Sequence, residues 1–383
     1  MRLEAMSLFV RLAPALFAYA VEYPRPGACI HKSGRRKVQG RGARSARLEL
    51  EGRMGKTTDA GIDVSKAVLD VAVRRDERQL ETARFANDPA GHQALVRWLT
   101  KGGRTVRVVL ESTGTYSLDV ALALHRTHGI AVMVANPRAI KQFTGALMQR
   151  SKTDLTAAVA LRDYAIRMPF VTWQPPAAHV LELRGIARRI AALVVERTRE
   201  RNRLHALTAS AEASAVVRND IEVNVRHLAR RAELLAAQAS ALIDAHDDLQ
   251  SAFELLVSVP GIATHSAVQL LPELLVLPEA MTVRQWVAHA GLDPRAHQSG
   301  TSVDKPARIS KVGNAHIRRV LFMPALVAVQ HDRHVRTFFD KLVARGKTPL
   351  QAYVAVMRKL LHAIYGMLTT RTPFVDAKFH AAA

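Results

Sequence analysis

From Ala60 the chain passes through three short apolar runs, AGIDVS, AVLDVAVRR and ETARFAN, each with the length and two-residue alternation of a β-strand. This patterning constrains the fold more than any other feature, because side chains that alternate in pairs cannot line one face of a helix. Three such runs in succession read as an antiparallel meander. A helical pattern over Pro89–Gly103 follows, then the β-rich run TVRVVLEST, a helix around SLDVALALHRTHG, the strand IAVMVANP and a helix beginning near Thr153. The order is βββαβαβα, which predicts a mixed sheet covered by helices.

That layout is the one of an α/β RNase-H-like domain, expected over residues 54–170. Between Ala177 and Gln250 Leu, Ile and Val recur every three or four residues amid Arg and Glu, which predicts two long antiparallel helices. Residues 175–250 therefore read as a long helical, coiled-coil-like linker used for dimer contacts. A mostly α C-terminal domain is expected over 251–370, closing on a pair of amphipathic helices, with a tail over 371–383. Its opening segment VSVPGIATHSAVQLL fits half of a helix-hairpin-helix or a plain turn between helices, since Ala263 stands where such hairpins usually carry a second glycine.

The chain of 383 residues carries a formal charge of +22, an excess that calls for an anionic partner, although its richness in Ala and Arg also fits a genome rich in G and C. Aromatic residues make up 5%, which argues against recognition of single strands by base stacking. The single cysteine, Cys29, excludes an internal disulfide and a cysteine-based zinc site, and a cytoplasmic, nucleoid-associated protein is expected, with no membrane partner. The apolar stretch Leu8–Val21 is shorter than a membrane span and interrupted by Arg11, and Lys32–Arg53 reads as an unstructured basic linker. Residues 1–53 are accordingly read as a basic leader ahead of a start at Met54, in preference to a signal peptide.

Three acids stand in or at the ends of predicted elements. Asp63 is expected in the middle of the first strand, where burying an unpaired charge is costly. Glu111 ends the run VRVVL, and Asp154 occupies the first turn of the helix that follows SKT. Singly they read as a turn acid, a solvated strand end and a helix N-cap. Together, in a sheet whose first and fourth strands are neighbours, they would converge to hold hard divalent ions. Two such ions about 3.5–4 Å apart activate the attacking oxygen and stabilise the leaving one in phosphodiester chemistry.

The segments GIDVSK, VVLESTGTY, ANPRAIKQF and SKTD, followed far downstream by AGLDP, QSG and ISKVGNAHIRR, resemble the IS110 (IS one-ten) family of DEDD insertion-sequence transposases, from about Thr57 to Leu368. The resemblance implies a RuvC-like first domain in which four acids bind Mg²⁺, with Mn²⁺ as an alternative. Three of them are Asp63, Glu111 and Asp154. The fourth is expected three residues after Asp154, where this chain has Ala157, and Asp163 lies about half a turn out of phase.

The resemblance also makes Ser299, in AHQSGTS, the nucleophile that joins covalently to DNA. The residues alone show a Ser-Gly loop flanked by Arg295, Lys305, Arg308, Lys311, Arg318 and Arg319, cations suited to a phosphodiester. Arg318 and Arg319 are expected near the N-terminal half of their helix, as a phosphate clamp or a solvated basic face. His289, His297 and His316 are expected to be structural or phosphate-contacting. The implied partners are double-stranded donor and target DNA, a structured noncoding guide RNA, and further copies of the chain in a homodimer or homotetramer. Two other functions fit the residues: a RuvC-like nuclease of branched DNA, and a nucleic-acid-binding remnant inactivated at Ala157.

Overall fold

The computed structural model describes residues 57–75, 80–112, 114–148, 153–209, 214–299 and 303–379. The leader, Met54, Thr113, Ser151, Lys152 and Gly300 lie outside the described residues, as do the side chains of His297, Ser299 and Lys305. The chain divides into two compact units at the Pro175–Pro176 junction. Among the described residues no helix is long and apolar enough to cross a membrane.

The first unit contains β1 (Thr58–Val64), β2 (Val68–Val73), β3 (Glu81–Ala86), α1 (Pro89–Leu99), β4 (Val106–Glu111), α2 (Leu118–His125), β5 (Ile130–Ala135), α3 (Pro137–Ala146) and α4 (Asp154–Arg167). The sheet order is β3-β2-β1-β4-β5, with β1–β2 and β2–β3 antiparallel and β1–β4 and β4–β5 parallel. The meander and its αβ continuation are as expected, and the mixed sheet with its helices fits an RNase-H-like fold.

The strands that read as alternating bury both faces unequally. Ala60, Ile62, Val64, Leu69, Val71, Val73, Val108 and Leu110 form one core with Leu95 and Leu99 of α1 and Val120 and Leu124 of α2. The opposite face carries Val109 and Ala135 against Ile140, Leu161 and Tyr164 from α3 and α4. Helix α3 is missing from the expected order, yet its signal stands in the sequence: Asn136 caps it by accepting from Arg138 N–H at 2.9 Å, and Pro137 takes the first helical position.

Gly61 decides how closely α4 lies on the sheet. A Cβ on it would stand 2.1 Å from the Ala158 carbonyl oxygen and 2.3 Å from the Arg162 nitrogen, so helix and strand meet backbone to backbone. Helix α4 starts on a capping box in which Thr153 and Thr156 exchange side-chain and backbone hydrogen bonds. The cap is thus Thr153, which leaves the Asp154 carboxylate for other duty.

The second unit is mostly helical: α5 (Ala178–Thr208), α6 (Ala215–Asp244), α7 (Asp247–Val257), α8 (Thr264–Leu275), α9 (Val283–His289), α10 (Ala315–Val320), α11 (Phe322–His331), α12 (Arg333–Ala344), α13 (Pro349–Thr370) and α14 (Asp376–Phe379), with a two-stranded ribbon of β6 (Pro294–Ser299) and β7 (Val303–Ile309) between α9 and α10. Val180, Leu183 and Ile190 of α5 and Ala239 and Ile243 of α6 join the same core as Leu249, Leu271, Leu321, Val356 and Leu360. Phe379, in the segment read as a tail, is buried in that core.

The ribbon corrects one expectation, because Ser299 ends a strand rather than sitting in a loop. The segment lacks apolar alternation, so no strand is visible in it. Pro306 fits the ribbon because the register shifts between Arg295 and His297, where an irregularity spares it from the ladder.

Replacing Gly61 by Ala is expected to lower stability by about 1–3 kcal/mol, the cost of overpacking a closed contact. Gly185→Ala, within α5 and with nothing near its Cβ position, is expected to be neutral or stabilising by up to about 1 kcal/mol. Urea denaturation of both variants checks this, and equal midpoints would refute the packing argument.

Candidate functional site

In the first unit the parallel register pairs Asp59 with Arg107 and Gly61 with Val109, and its last pair is Ile62 with Leu110. One step further stand Asp63 and Glu111, neighbours at the C-terminal ends of adjacent strands. Asp63 is the sixth of the seven residues of β1, at its edge rather than its middle. Alternation puts both acids on the face that α4 covers, since the intervening Ile62 and Leu110 face the other core. Asp63 and Glu111 are half-buried and Asp154 is exposed.

A third strand acid was not anticipated. Asp70 on β2 stands directly across from Asp63, is 9% exposed, and accepts from Arg84 Nε at 2.9 Å. The Asp70 hydrogen bond and charge hold the Arg84 guanidinium above its ordinary range, with a smaller contribution from Asp154. Asp154 is therefore within electrostatic reach of the Asp70–Arg84 pair that borders Asp63. The available signal was a charged residue inside the apolar run VLDVAV, the same signal that singled out Asp63.

Carboxylates side by side on neighbouring strands repel one another, and a donor set of carboxylate oxygens suits a hard divalent cation. Asp63, Glu111 and Asp154 do not all lie within 4.8 Å of one another. A pair of ions tolerates a wider span, on the order of 8 Å between outer ligands. Ala157 lies one turn beyond Asp154, close to the Ala158 and Leu161 contacts with Gly61. Asp163 is about 13 Å further along the helix axis than Asp154 and accepts from Arg162 Nε at 3.0 Å, so it does not stand in for the missing acid.

In the second unit the ribbon is held at its base by the motifs on either side. Ser310 N–H donates to the Asp293 carbonyl at 2.9 Å, Lys311 N–H to the Gly291 carbonyl at 3.1 Å, and Asn314 N–H to the His289 carbonyl at 2.6 Å. Gly291 (φ +66°) and Gly313 (φ +94°) adopt left-handed backbone, and a Cβ on either would come within 2.3 Å of a carbonyl oxygen of the other loop. The segments AGLD and SKVGN therefore interlock, with Ser299 opposite Val303 and His297 opposite Lys305 in the ribbon they carry.

Beneath this clamp lies Glu273, 1% exposed within α8. It accepts from Arg188 Nε at 2.6 Å and Nη2 at 3.1 Å, Arg184 Nε at 3.3 Å and Asn314 Nδ2 at 2.6 Å. Burial alone would raise its pKa; Arg188, Arg184 and Asn314 outweigh it and bring the carboxyl down to about 2. Asn314 uses its other end to cap α10, accepting from His316 N–H at 2.9 Å and Ile317 N–H at 3.3 Å. Glu273 went unrecognised because it sits inside an apolar helix whose partners lie 41 to 89 residues away in sequence.

The cations fall into two kinds. Arg295 and Arg308 are exposed and face each other in register across the ribbon, a like-charge pairing that a phosphate would relieve. Lys311 is exposed at φ +54°, and Arg319 is exposed on α10. Arg318 is half-buried and donates to the Ala290 carbonyl at 2.7 Å, and burial, then the neighbouring Arg319, lowers its pKa. Both arginines lie in the last turn of the short α10, not its N-terminal half. Burial likewise pushes the His289 and His316 imidazoles down, towards the neutral form.

Because the folded pKa of Glu273 lies below its ordinary 4.5, its stabilisation is present above that value and is lost as the pH falls towards 2. Glu273→Gln is expected to cost on the order of 3 kcal/mol at pH 7, a difference that shrinks between pH 4.5 and 2 in denaturation curves. Arg295→Ala and Arg308→Ala are each expected to weaken binding to any duplex DNA and to reduce the salt slope of log K by about 1. Salt titrations with unrelated sequences check this, and unchanged slopes would remove the ribbon from the phosphate contacts.

Comparison with known proteins matches both units of the chain to transposase families. Residues 60–211, which include all three carboxylates, match the DEDD-type IS110 transposase model, and residues 253–340, which include Glu273, the ribbon and α10, match the model of the transposase IS116/IS110/IS902 family. Pilin gene-inverting proteins of Moraxella bovis and Moraxella lacunata are each 29% identical over 84% of this chain and 99% of their own length. An insertion element IS110 protein of Streptomyces coelicolor is 32% identical over 40% of this chain and 36% of its own. The DEDD type implies dependence on a divalent metal, and the chain belongs to the IS110 family of transposases, enzymes of DNA transposition and recombination.

Proposed function

We propose that the chain cuts and rejoins DNA for its insertion sequence by exchanging one phosphate ester for another, with Ser299 as nucleophile and Asp63, Glu111 and Asp154 as ligands of Mg²⁺, which Mn²⁺ can replace. The observation that carries this reading is the placement of Asp63 and Glu111 at adjacent strand ends under α4, whose first turn bears Asp154. When bound, divalent ions neutralise charge on the scissile phosphate and favour the ionised form of an attacking oxygen. The carboxylates hold the ions, Arg295, Lys305, Arg308, Lys311 and Arg319 bind and orient the DNA backbone, and Arg318 braces the Gly291 loop beneath them. Ser299 loses its proton, its Oγ forms a bond to phosphorus, and the bridging P–O bond breaks with the leaving oxygen taking up a proton. Attack by a DNA hydroxyl then reverses these changes on a new strand, so no ester is lost to water. The Moraxella relatives are named for inverting a gene, an operation that also needs balanced cutting and rejoining.

The same reading assigns double-stranded donor and target DNA as substrates and a structured noncoding RNA as the guide, gripped through its backbone. A homodimer or homotetramer, with α5 and α6 contributing to it, would hold two DNA partners; Val216, Val217, Val223 and Leu234 of α6 are exposed. The protein would work in the bacterial cytoplasm on the nucleoid.

Ala157 supports a second reading, a binding remnant in which the short donor set no longer sustains cleavage. Recombination between donor and target plasmids carrying the element's flanking noncoding DNA separates the two. Ser299→Ala and Asp63→Ala are expected to abolish recombination, and Ala157→Asp to retain or raise it. Cleavage persisting in Ser299→Ala would favour a RuvC-like nuclease, rescue solely by Ala157→Asp would establish the remnant, and inactivity of every form would overturn the recombinase reading.

A further inference from the structure

Away from both regions described above, three side chains from two distant stretches of the second unit meet at the base of the α5–α6 pair. His179 is the second residue of α5, His246 lies in the turn between α6 and α7, and Asp248 is the second residue of α7. The two imidazoles stack at 4.1 Å with their planes 15° apart, and His179 Nε2 lies 2.9 Å from Asp248 Oδ2. One ligand atom from each of the three lies within 4.8 Å of the other two. Both histidines are half-buried and Asp248 is exposed. Asp248 also lines a cleft of about 610 Å³ together with Ser251, Glu254 and Arg371.

We propose that His179, His246 and Asp248 form a zinc-class metal site that ties the start of α5 to the α6–α7 turn. Two imidazole nitrogens and one carboxylate oxygen are a borderline donor set that selects Zn²⁺ or Co²⁺ over Mg²⁺. Bonds of 2.0–2.2 Å in a tetrahedron put ligand atoms about 3.4 Å apart, so the His179–Asp248 contact opens by about half an ångström as the shared proton gives way to the metal. Water from the adjoining cleft completes the shell. The site is separate in sequence and chemistry from the carboxylates of the first unit, and its function is to brace the long helical pair rather than to carry out strand exchange.

The test uses untagged full-length protein, freed of metal by chelation and held in excess Mg²⁺ so that carboxylate sites are occupied. Calorimetric titration with Zn²⁺ is expected to show one equivalent bound with Kd below about 1 µM, and to raise Tm on the order of 5 °C at a hundredfold excess over Kd. His246→Gln, on a turn, is expected to remove that equivalent, and Asp248→Asn to weaken it at least about tenfold. Co²⁺ should give the intense visible absorption of a four-coordinate ion in the wild type and lose it in His246→Gln. Retention of the full Zn²⁺ equivalent in His246→Gln, or absence of saturable binding by the wild type, would overturn the site. Either result leaves strand exchange untouched, since recombination is not the readout.

Discussion

The backbone contact between β1 and α4 at Gly61 is the constraint on which the carboxylate site depends. Any side chain there would push the helix away from the sheet, and Asp154 would recede from the strand acids with it. The glycine of GIDVSK sets the helix-to-strand distance, and the acid two residues later lies on the same face of β1. Asp70 and Arg84 add charge of both signs beside Asp63, so the acids sit in a balanced field rather than a purely negative one.

The second unit solves a different problem with similar means. A two-stranded ribbon is marginal alone in water, so the strand that ends in Ser299 must be fixed from its base. The left-handed glycines at 291 and 313 let the flanking loops meet backbone to backbone, and Asn314 couples that clamp to Glu273. Glu273 is buried with two arginines and an amide around it, a charge that costs little because its donors are supplied by α5 and the α10 cap. Through Glu273 the position of the long α5 helix and the geometry of the ribbon are physically linked within one unit.

The basic character of the chain divides along the same lines. Arg184, Arg188 and Arg318 are consumed by internal acceptors, and Arg295, Arg308, Lys311 and Arg319 remain at the surface. The 55 Lys and Arg residues are therefore no direct count of phosphate contacts, since some of them are engaged by a buried carboxylate and a backbone carbonyl. Arg318 illustrates the difference: adjacent to Arg319 in sequence, it is fixed under the Gly291 loop by the Ala290 carbonyl.

Local patterning was enough to place β1 to β5, the helices over residues 89–99, 118–125 and 154–167, and the long helical stretch, because side-chain periodicity is a property of neighbouring residues. It was also enough to nominate Asp63, Glu111 and Asp154, as each stands at the edge of a patterned element. Helix α3 was legible in its Asn-Pro start, a cap followed by a residue suited to the first helical position. The ribbon, the roles of Asp70 and Glu273, the engagement of Arg318 and the meeting of His179 with His246 and Asp248 were decided by the tertiary structure. Each depends on strand register, on burial or on partners many residues distant, and a hydrogen bond across that separation leaves no period in the chain to be read.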